Sequence, residues 1–278
     1  MSEAYIVAAT RTAGGRKGGQ LSGWHPADLA AQVIDELVRR TRADPARVDD
    51  VIMGCVSQIG EQSTNIARNA VLASGLPETV PATSVDRQCG SSQQAIHFAA
   101  QAVMSGTMDM VIASGVESMS RVPIGTPMDL PQKVGLGFYK SSGMEARYPE
   151  VFFSQFTGAE EIARKWELGR EALDEFSFQS HLKARAATEA GRFDAEIIAV
   201  EKRLHNGAVP GDMATRDEGI RYDVSLEAVS QVRLLTEGGR LTAASASQIC
   251  DGAAGVMVVN ERGLKALGVE PLARIHHL

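Results

Sequence analysis

Cysteine is scarce, three residues in a chain of 278. No two of them have C-x-x-C spacing, which excludes a disulfide scaffold, a zinc knuckle and a dithiol redox motif. Reduced thiols in a cytoplasmic setting are expected, each either a small buried hydrophobe or a nucleophile. Basic charge is short as well: 28 Lys and Arg face 34 Asp and Glu, a net charge of −6. That balance argues against nucleic acid or an anionic membrane surface as a partner. No apolar run approaches membrane-spanning length, and the start, Met1-Ser2-Glu3-Ala4, lacks the basic head of a signal peptide. Neither a short repeat nor a heptad appears, and no spacing of His and carboxylates suggests a metal site. The glycines at 14, 15, 18 and 19 spell neither dinucleotide nor P-loop fingerprint, so they read as a flexible connection rather than a phosphate cradle.

What is present is an ordinary globular composition, 44% hydrophobic and 22% charged. Strand-like and helix-like segments alternate: strands over 5–9, 48–56, 79–88 and 108–114, helices over 26–42, 65–74 and 91–105. The strand over 108–114 is apolar on both faces, which implies an α/β fold with a mixed sheet covered by helices. The pattern breaks after Arg121. Residues 122–150 carry several prolines and glycines with little regular structure expected, a kind of excursion that is usually functional. Helices follow over 159–166 and 170–190, then a polar segment over 204–222. A strand over 255–259 and a helix over 261–267 restore the first pattern. The expected organisation is an α/β domain of residues 1–121 and 246–272, interrupted by an insertion over 122–245.

Cys89 is the residue with the clearest chemistry. It closes an extended segment and is followed at once by Gly90-Ser91-Ser92 and a helix. A thiol there faces helix N-terminal amides, which favour thiolate and can hold an oxyanion. Position alone leaves two readings, a nucleophile on a strand-to-helix elbow or an ordinary buried Cys at a βα turn. Cys55, inside an apolar strand, and Cys250, before another, are expected as packed structural thiols. No histidine offers itself as a base. His97 is eight residues beyond Cys89 on the same helix, about 12 Å along its axis.

The motif Val85-Asp86-Arg87-Gln88-Cys89-Gly90-Ser91-Ser92 resembles the acyl-enzyme motif of the thiolases. Val7-Ala8-Ala9-Thr10-Arg11-Thr12, Gly60-Glu61-Gln62-Ser63-Thr64-Asn65-Ile66-Ala67-Arg68 and Gly115-Val116-Glu117-Ser118-Met119-Ser120 resemble further family segments in the same order. So do Asp217-Glu218-Gly219-Ile220-Arg221 and the run from Thr242-Ala243 to Asp251-Gly252. The resemblance implies the N-terminal half of the αβαβα thiolase fold, with the insertion as a loop domain for coenzyme A binding and tetramer formation. It implies that Cys89 carries the acyl group as a thioester and that Arg221, Ala243 and Ser247 contact CoA. The partners implied are acyl-CoA and CoA, the latter as co-substrate with no permanently bound cofactor, and further copies of the chain in a homo-oligomer. The reaction implied is thiolysis of a 3-oxoacyl-CoA or the reverse Claisen condensation.

This chain departs from the family pattern at several points. Asp86 stands for the usual Asn. Gln248 and Cys250 stand where the family has Gly and Asn in its Asn-Ala-Ser-Gly-Ile-Asn-Asp-Gly run. The Asn-Glu-Ala-Phe, Gly-His-Pro and Cys-x-Gly motifs of the family's second half do not occur in these 278 residues. The expectation is therefore a thiolase lacking its C-terminal domain, with residues 273–278 beginning that half and turnover impaired. Two rivals stand beside it: a non-catalytic acyl-CoA-binding or assembly module, and a ketosynthase-like condensing enzyme. The Gly115–Ser120 and Asp217–Arg221 runs favour thiolase.

Overall fold

The computed structural model describes residues 3–278 and divides the chain into two compact units. The first comprises Met1–Pro127, Asp194–Glu218 and Ile249–Leu278; the second comprises Met128–Phe193 and Gly219–Gln248.

The first unit is organised by one mixed sheet. Its strands are β1 (Tyr5–Thr12), β2 (Gly15–Arg16), β3 (Asp50–Gly54), β4 (Ala82–Val85), β5 (Met110–Ser118), β6 (Ile197–Ile198), β9 (Cys250–Val259) and β10 (Ala273–Arg274). The main path runs β10-β1-β9-β5-β3-β4, with β2 beside β9 and β6 beside β1. β3 is parallel to β4 and to β5, while β9 runs antiparallel between β1 and β5. β5 is buried on both faces, as its sequence requires. Val111 and Ala113 meet Ile52, Val258 and the alanine stripe Ala95, Ala99, Ala100 and Val103 of helix α3 (Ser91–Met104). Met110 and Ile112 join the opposite cluster with Leu29, Val33, Ile34 and Leu37 of α1 (Pro26–Thr41) and Ile66, Ala67 and Ala70 of α2 (Ile66–Ala73).

Local chemistry explains the limits of α1. The His25 side chain accepts the Ala27 N–H at 3.3 Å, Pro26 opens the first turn, and Arg42 ends the helix with φ 54°. Only Ala82–Val85 of the strand expected over 79–88 is paired. Pro81 has no N–H to give, and at the other end the chain turns towards Cys89. The return strand is longer than the expected 255–259, starting at Cys250. Its small residues have weak strand propensity, and pairing with β1 and β5 on either side imposes the conformation.

The insertion boundaries also differ from those expected. Residues 194–218 pack with the first unit rather than with the rest of 122–245. Arg11 is the reason: its guanidinium donates to both Asp217 carboxylate oxygens, at 2.7 and 3.1 Å, and to Glu196 Oε1 at 2.7 Å. Burial pushes Asp217 up, but Arg11 and the Gly14 N–H outweigh it and hold the carboxyl below its ordinary range. The polar segment contains a hairpin of β7 (Val200–Leu204) and β8 (Gly207–Ala214), turning through His205 and Asn206. Asn206-Gly207 is the turn signal that marks it. Residues 273–278, read as the opening of a further half, lie along this sheet, where Ala273 pairs with Ile6.

The second unit holds the rest of α4 (Thr126–Lys133), with α5 (Ser142–Arg147), α6 (Gln155–Lys165), α7 (Arg170–Glu189) and α8 (Leu226–Ser230). Two helices thus stand in the 122–150 excursion. Polar ties to backbone shape this unit. Arg170 pairs with Asp174 and donates to the carbonyls of Ser230 and Val232; Glu160 accepts the N–H groups of Arg240 and Leu241. Large apolar side chains lie exposed along it, Leu136 at 80% and Phe176 at 77% among them. No helix among the described residues is long and apolar enough to cross a membrane.

On α1, Glu36 accepts from Arg39 and Arg40, and Arg40 also donates to the carbonyls of Ala9 and Ala195. The Arg39 bond, outweighing the cost of burial and reinforced by Arg40, lowers the Glu36 pKa from 4.5 to about 2. A depressed carboxylate contributes stability that is present above its unfolded pKa and lost as pH falls through its folded one. Thermal stability is therefore expected to decline through Glu36 between pH 4.5 and about 2. Glu36→Gln should flatten that limb of the melting profile, and an unchanged limb would contradict the assignment.

Candidate active site

Cys89 lies on the turn between β4 and α3 and is solvent-exposed. Hydrogen bonds inside the turn set its shape. Asp86 Oδ1 accepts the Gln88 N–H at 2.7 Å, Ser91 Oγ accepts the Arg87 N–H at 2.9 Å, and the same hydroxyl donates to the Gln88 carbonyl at 2.6 Å. Gln88 is held at φ 49°, a left-handed conformation that costs a non-glycine residue about 1 kcal/mol or more. That reversal places Cys89 at the outside of the bend. Asp86 serves here as a turn acceptor, a task an Asn would perform equally well. Gly90 caps α3 without a side-chain hydrogen bond; the Ser91 N–H donates to the Gln88 carbonyl at 3.0 Å, and Cys89 stands two residues before the helix at its N-terminal end.

Two glycines bring this helix terminus onto the sheet. A Cβ on Gly54, the last residue of β3, would overlap the backbone of Ser91 and Ser92, and one on Gly115 of β5 would overlap the Ser92 side chain. Gly54 is level with both Val85 and Gly115, so β3 and β4 end together beneath the elbow while β5 runs on to Ser118. Below them, α2 holds β4. Asn65 caps α2 by accepting the Arg68 N–H, donates to the Ala82 carbonyl at 2.9 Å and accepts from Ser84 Oγ at 2.9 Å. Arg68 donates to the carbonyls of Glu78 and Val80.

The residues after β5 fix the neighbouring loops. Glu117 accepts the N–H groups of Val56 and Ser57 and the amide of the fully buried Gln62, whose Oε1 accepts the Ser118 N–H. Asp251, also fully buried, accepts from Ser118 Oγ and from the N–H and hydroxyl of Ser120; Ser120 Oγ in turn accepts the Gly18 N–H at 2.8 Å. The Gly-rich turn is thus tethered rather than free. Arg121 pairs with Glu61 through two hydrogen bonds.

The other thiols differ from Cys89 in kind. Cys55 is buried, and that burial, with the charges of Glu117 and Asp86, pushes its thiol up to about 12. Cys250 departs from expectation: it is exposed, because β9 begins at the sheet margin. Its thiol is nonetheless raised above the ordinary range by burial of the sulfur and by the neighbouring Asp251 and Glu117. His97 lies on α3 as expected, His25 caps α1, and His276 and His277 are exposed at the chain end. Among the described residues no cluster of His, Cys, Asp and Glu is placed to hold a metal ion.

Arg221, Ala243 and Ser247 fall in the second unit, all three exposed. Gln248 links two of their segments by donating to the Gly219 carbonyl at 2.5 Å. Ala243 sits in a turn where the Thr242 N–H donates to Ser245 Oγ, next to the Arg240 and Leu241 amides held by Glu160. Sequence reasoning supplied no task for Gly54, Asn65, Arg68, Gln62, Glu117 or Asp251. A carboxylate at the end of an apolar strand was the visible signal for Glu117, and the partners it needs are distant in sequence.

Residues 4–262 match the family model described as thiolase, N-terminal domain. The chain is 50% identical over its whole length to the steroid 3-ketoacyl-CoA thiolase FadA6 of Mycobacterium tuberculosis, covering 67% of that protein. It is 39% identical over 98% of its length to the 3-ketoacyl-CoA thiolase of Saccharophagus degradans, covering 68% of it. Against the 3-ketoacyl-CoA thiolase of Bacillus subtilis the identity is 36% over 99% of the chain, which covers 70% of that relative.

Two outcomes are expected of the thiols and their setting. Iodoacetamide under native conditions should alkylate Cys89 fastest, Cys250 more slowly, and Cys55 only after denaturation, as read by peptide mass spectrometry. Labelling of native Cys55 ahead of Cys89 would overturn that order. Gly54→Ala should destabilise the first unit by about 1–3 kcal/mol through overpacking against α3 and slow alkylation of Cys89 more than that of Cys250. Equal slowing of both thiols would show that Gly54 does not set the elbow.

Proposed function

The chain belongs to the thiolase family, a family of acyltransferases, and we propose on that premise that it cleaves or forms 3-ketoacyl-CoA through an acyl thioester on Cys89. The observation that carries this reading is the exposed Cys89 on a strained elbow at the uncapped N-terminus of α3. In the thiolytic direction the Cys89 sulfur attacks the C3 ketone carbon, and helix N-terminal amides are suited to the developing oxyanion. The C2–C3 bond breaks, its electron pair goes to C2, and a general acid supplies the proton that releases the CoA-bearing fragment. The thiol of a second CoA then takes the acyl group from Cys89, giving up its proton to a base. Arg221, Ala243 and Ser247 contact CoA in this reading, which enters as co-substrate.

The acyl group we propose is bulky and ring-bearing. Identity to the steroid 3-ketoacyl-CoA thiolase is 50%, against 39% and 36% for two relatives named without a steroid. The exposed apolar side chains of the second unit support a further assignment, a homo-oligomer that covers them. Domain limits of 1–121 with 246–272, and 122–245 for the CoA-binding insertion, are retained as functional divisions, with residues 194–218 packed on the sheet-bearing unit. Three free cysteines, one of them a nucleophile, suit a reducing compartment, and the cytoplasm is the proposed location.

The test is exchange of acyl groups between acyl-CoA and isotopically labelled CoA, which needs the thioester but not the carbon–carbon step. Wild-type chain should exchange, Cys89→Ala should fall to the uncatalysed background, and Cys250→Ala should retain exchange. Exchange that survives Cys89→Ala would sink the reading. A ring-bearing acyl-CoA should exchange faster than a straight-chain one of similar carbon number; the reverse preference would remove the substrate assignment alone.

A further inference from the structure

Arg221 is exposed, and among the described residues no carboxylate pairs with its guanidinium. Its backbone, by contrast, is tied down from three directions. On α7, His181 Nδ1 accepts the Arg221 N–H at 3.2 Å. One helical turn along the same face, Arg185 donates to the Tyr222 carbonyl at 3.0 Å. Gln248 donates to the Gly219 carbonyl, and a Cβ on Gly219 would displace the Gln248 amide from that position. A rigid backbone under a free cationic head is the arrangement expected of a residue that meets an anionic ligand without first ordering itself.

We propose that His181 is a positioning residue for coenzyme A, its Nδ1 fixing the Arg221 backbone so that the guanidinium points at the nucleotide end of the ligand. This rests on the reading of Arg221 as a CoA contact. His181 acts through Arg221 and touches no reacting atom. The hydrogen bond needs an unprotonated Nδ1, and burial, followed by the charge of Arg221, lowers the His181 pKa and favours that neutral form. Arg185 cannot substitute for it, because Arg185 donates to the carbonyl of the Tyr222–Asp223 peptide and has no acceptor for the Arg221 N–H.

The test is CoA binding to the full 278-residue chain by isothermal titration calorimetry, with the melting temperature and the Cys89 alkylation rate followed in each variant. His181→Leu fills the volume without an acceptor and should weaken CoA binding about fivefold, the size of one hydrogen bond of ordinary strength. His181→Asn presents an oxygen where Nδ1 stood and should restore affinity to within about twofold of wild type. Cys89, in the other unit, should alkylate at an unchanged rate in both. Arg221→Ala separates the two levels of the argument. If Arg221→Ala weakens binding and His181→Leu does not, the inference about His181 is overturned. If Arg221→Ala itself binds CoA as wild type does, the underlying assignment of Arg221 fails. An Asn variant as weak as the Leu variant would also overturn the inference, since only ring packing would then matter. Should His181→Leu fail to fold, the comparison of His181→Ala with His181→Asn decides the same question.

Discussion

The contact of the N-terminus of α3 with Gly54, the end of β3, and with Gly115 of β5 is the constraint on which the candidate active site depends. Side chains at positions 54 and 115 would push the helix terminus away from the sheet, and with it the turn that presents Cys89. With glycines there, Ser91 and Ser92 lie against Gly54 and Gly115, and Cys89 stands on the turn at the helix's N-terminal end. Small side chains extend the same logic along α3, where Ala95, Ala99 and Ala100 let the helix sit close over Ile52 and Val111. A large residue in this stripe would lift the helix just as a Cβ at Gly54 would.

Around that contact the polar residues of the first unit work as ties rather than as reactants. Asn65 holds β4 at Ala82 and Ser84 and Arg68 holds the segment leading into it, Glu117 and Gln62 hold the turn after β3, and Asp251 binds Ser118 and Ser120. Each carboxylate accepts from two or more donors, so its buried charge is met by hydrogen bonds. These ties divide the three thiols by environment. Cys55 is left among apolar neighbours and near a carboxylate, Cys250 beside Asp251, and Cys89 alone beside a helix N-terminus. Burial and neighbouring carboxylates raise the Cys55 and Cys250 thiols, with no change in residue type.

Much of this was legible in the sequence. Periodicity found α1, the stop at Gly106 marked the end of α3, apolar runs found β3 and β5, and the elbow at Cys89 followed from an extended segment meeting Gly90-Ser91-Ser92. What escaped depended on partners far away in the chain. The burial of Asp251 rests on serines about 130 residues earlier, and the attachment of 194–218 to the sheet rests on Arg11. Cys250 looked like a packed thiol because apolar residues follow it, yet it stands at a strand end where the sheet stops. The hairpin of β7 and β8 was missed although Asn206-Gly207 announced it, because its strands are polar and exposed and carry no clear alternation. Motif resemblance named Asn65, Glu117 and Asp251 without giving the reason that the structure supplies for each.

The central claim is that Cys89, placed by its helix terminus, accepts an acyl group from coenzyme A as a thioester. The most direct measurement is intact-mass and peptide mass spectrometry of the chain after incubation with an acyl-CoA, with and without hydroxylamine. The account predicts one acyl group, mapped to Cys89 and removed by hydroxylamine. An adduct mapped to Cys250, or none at all on a chain that binds CoA, would contradict it.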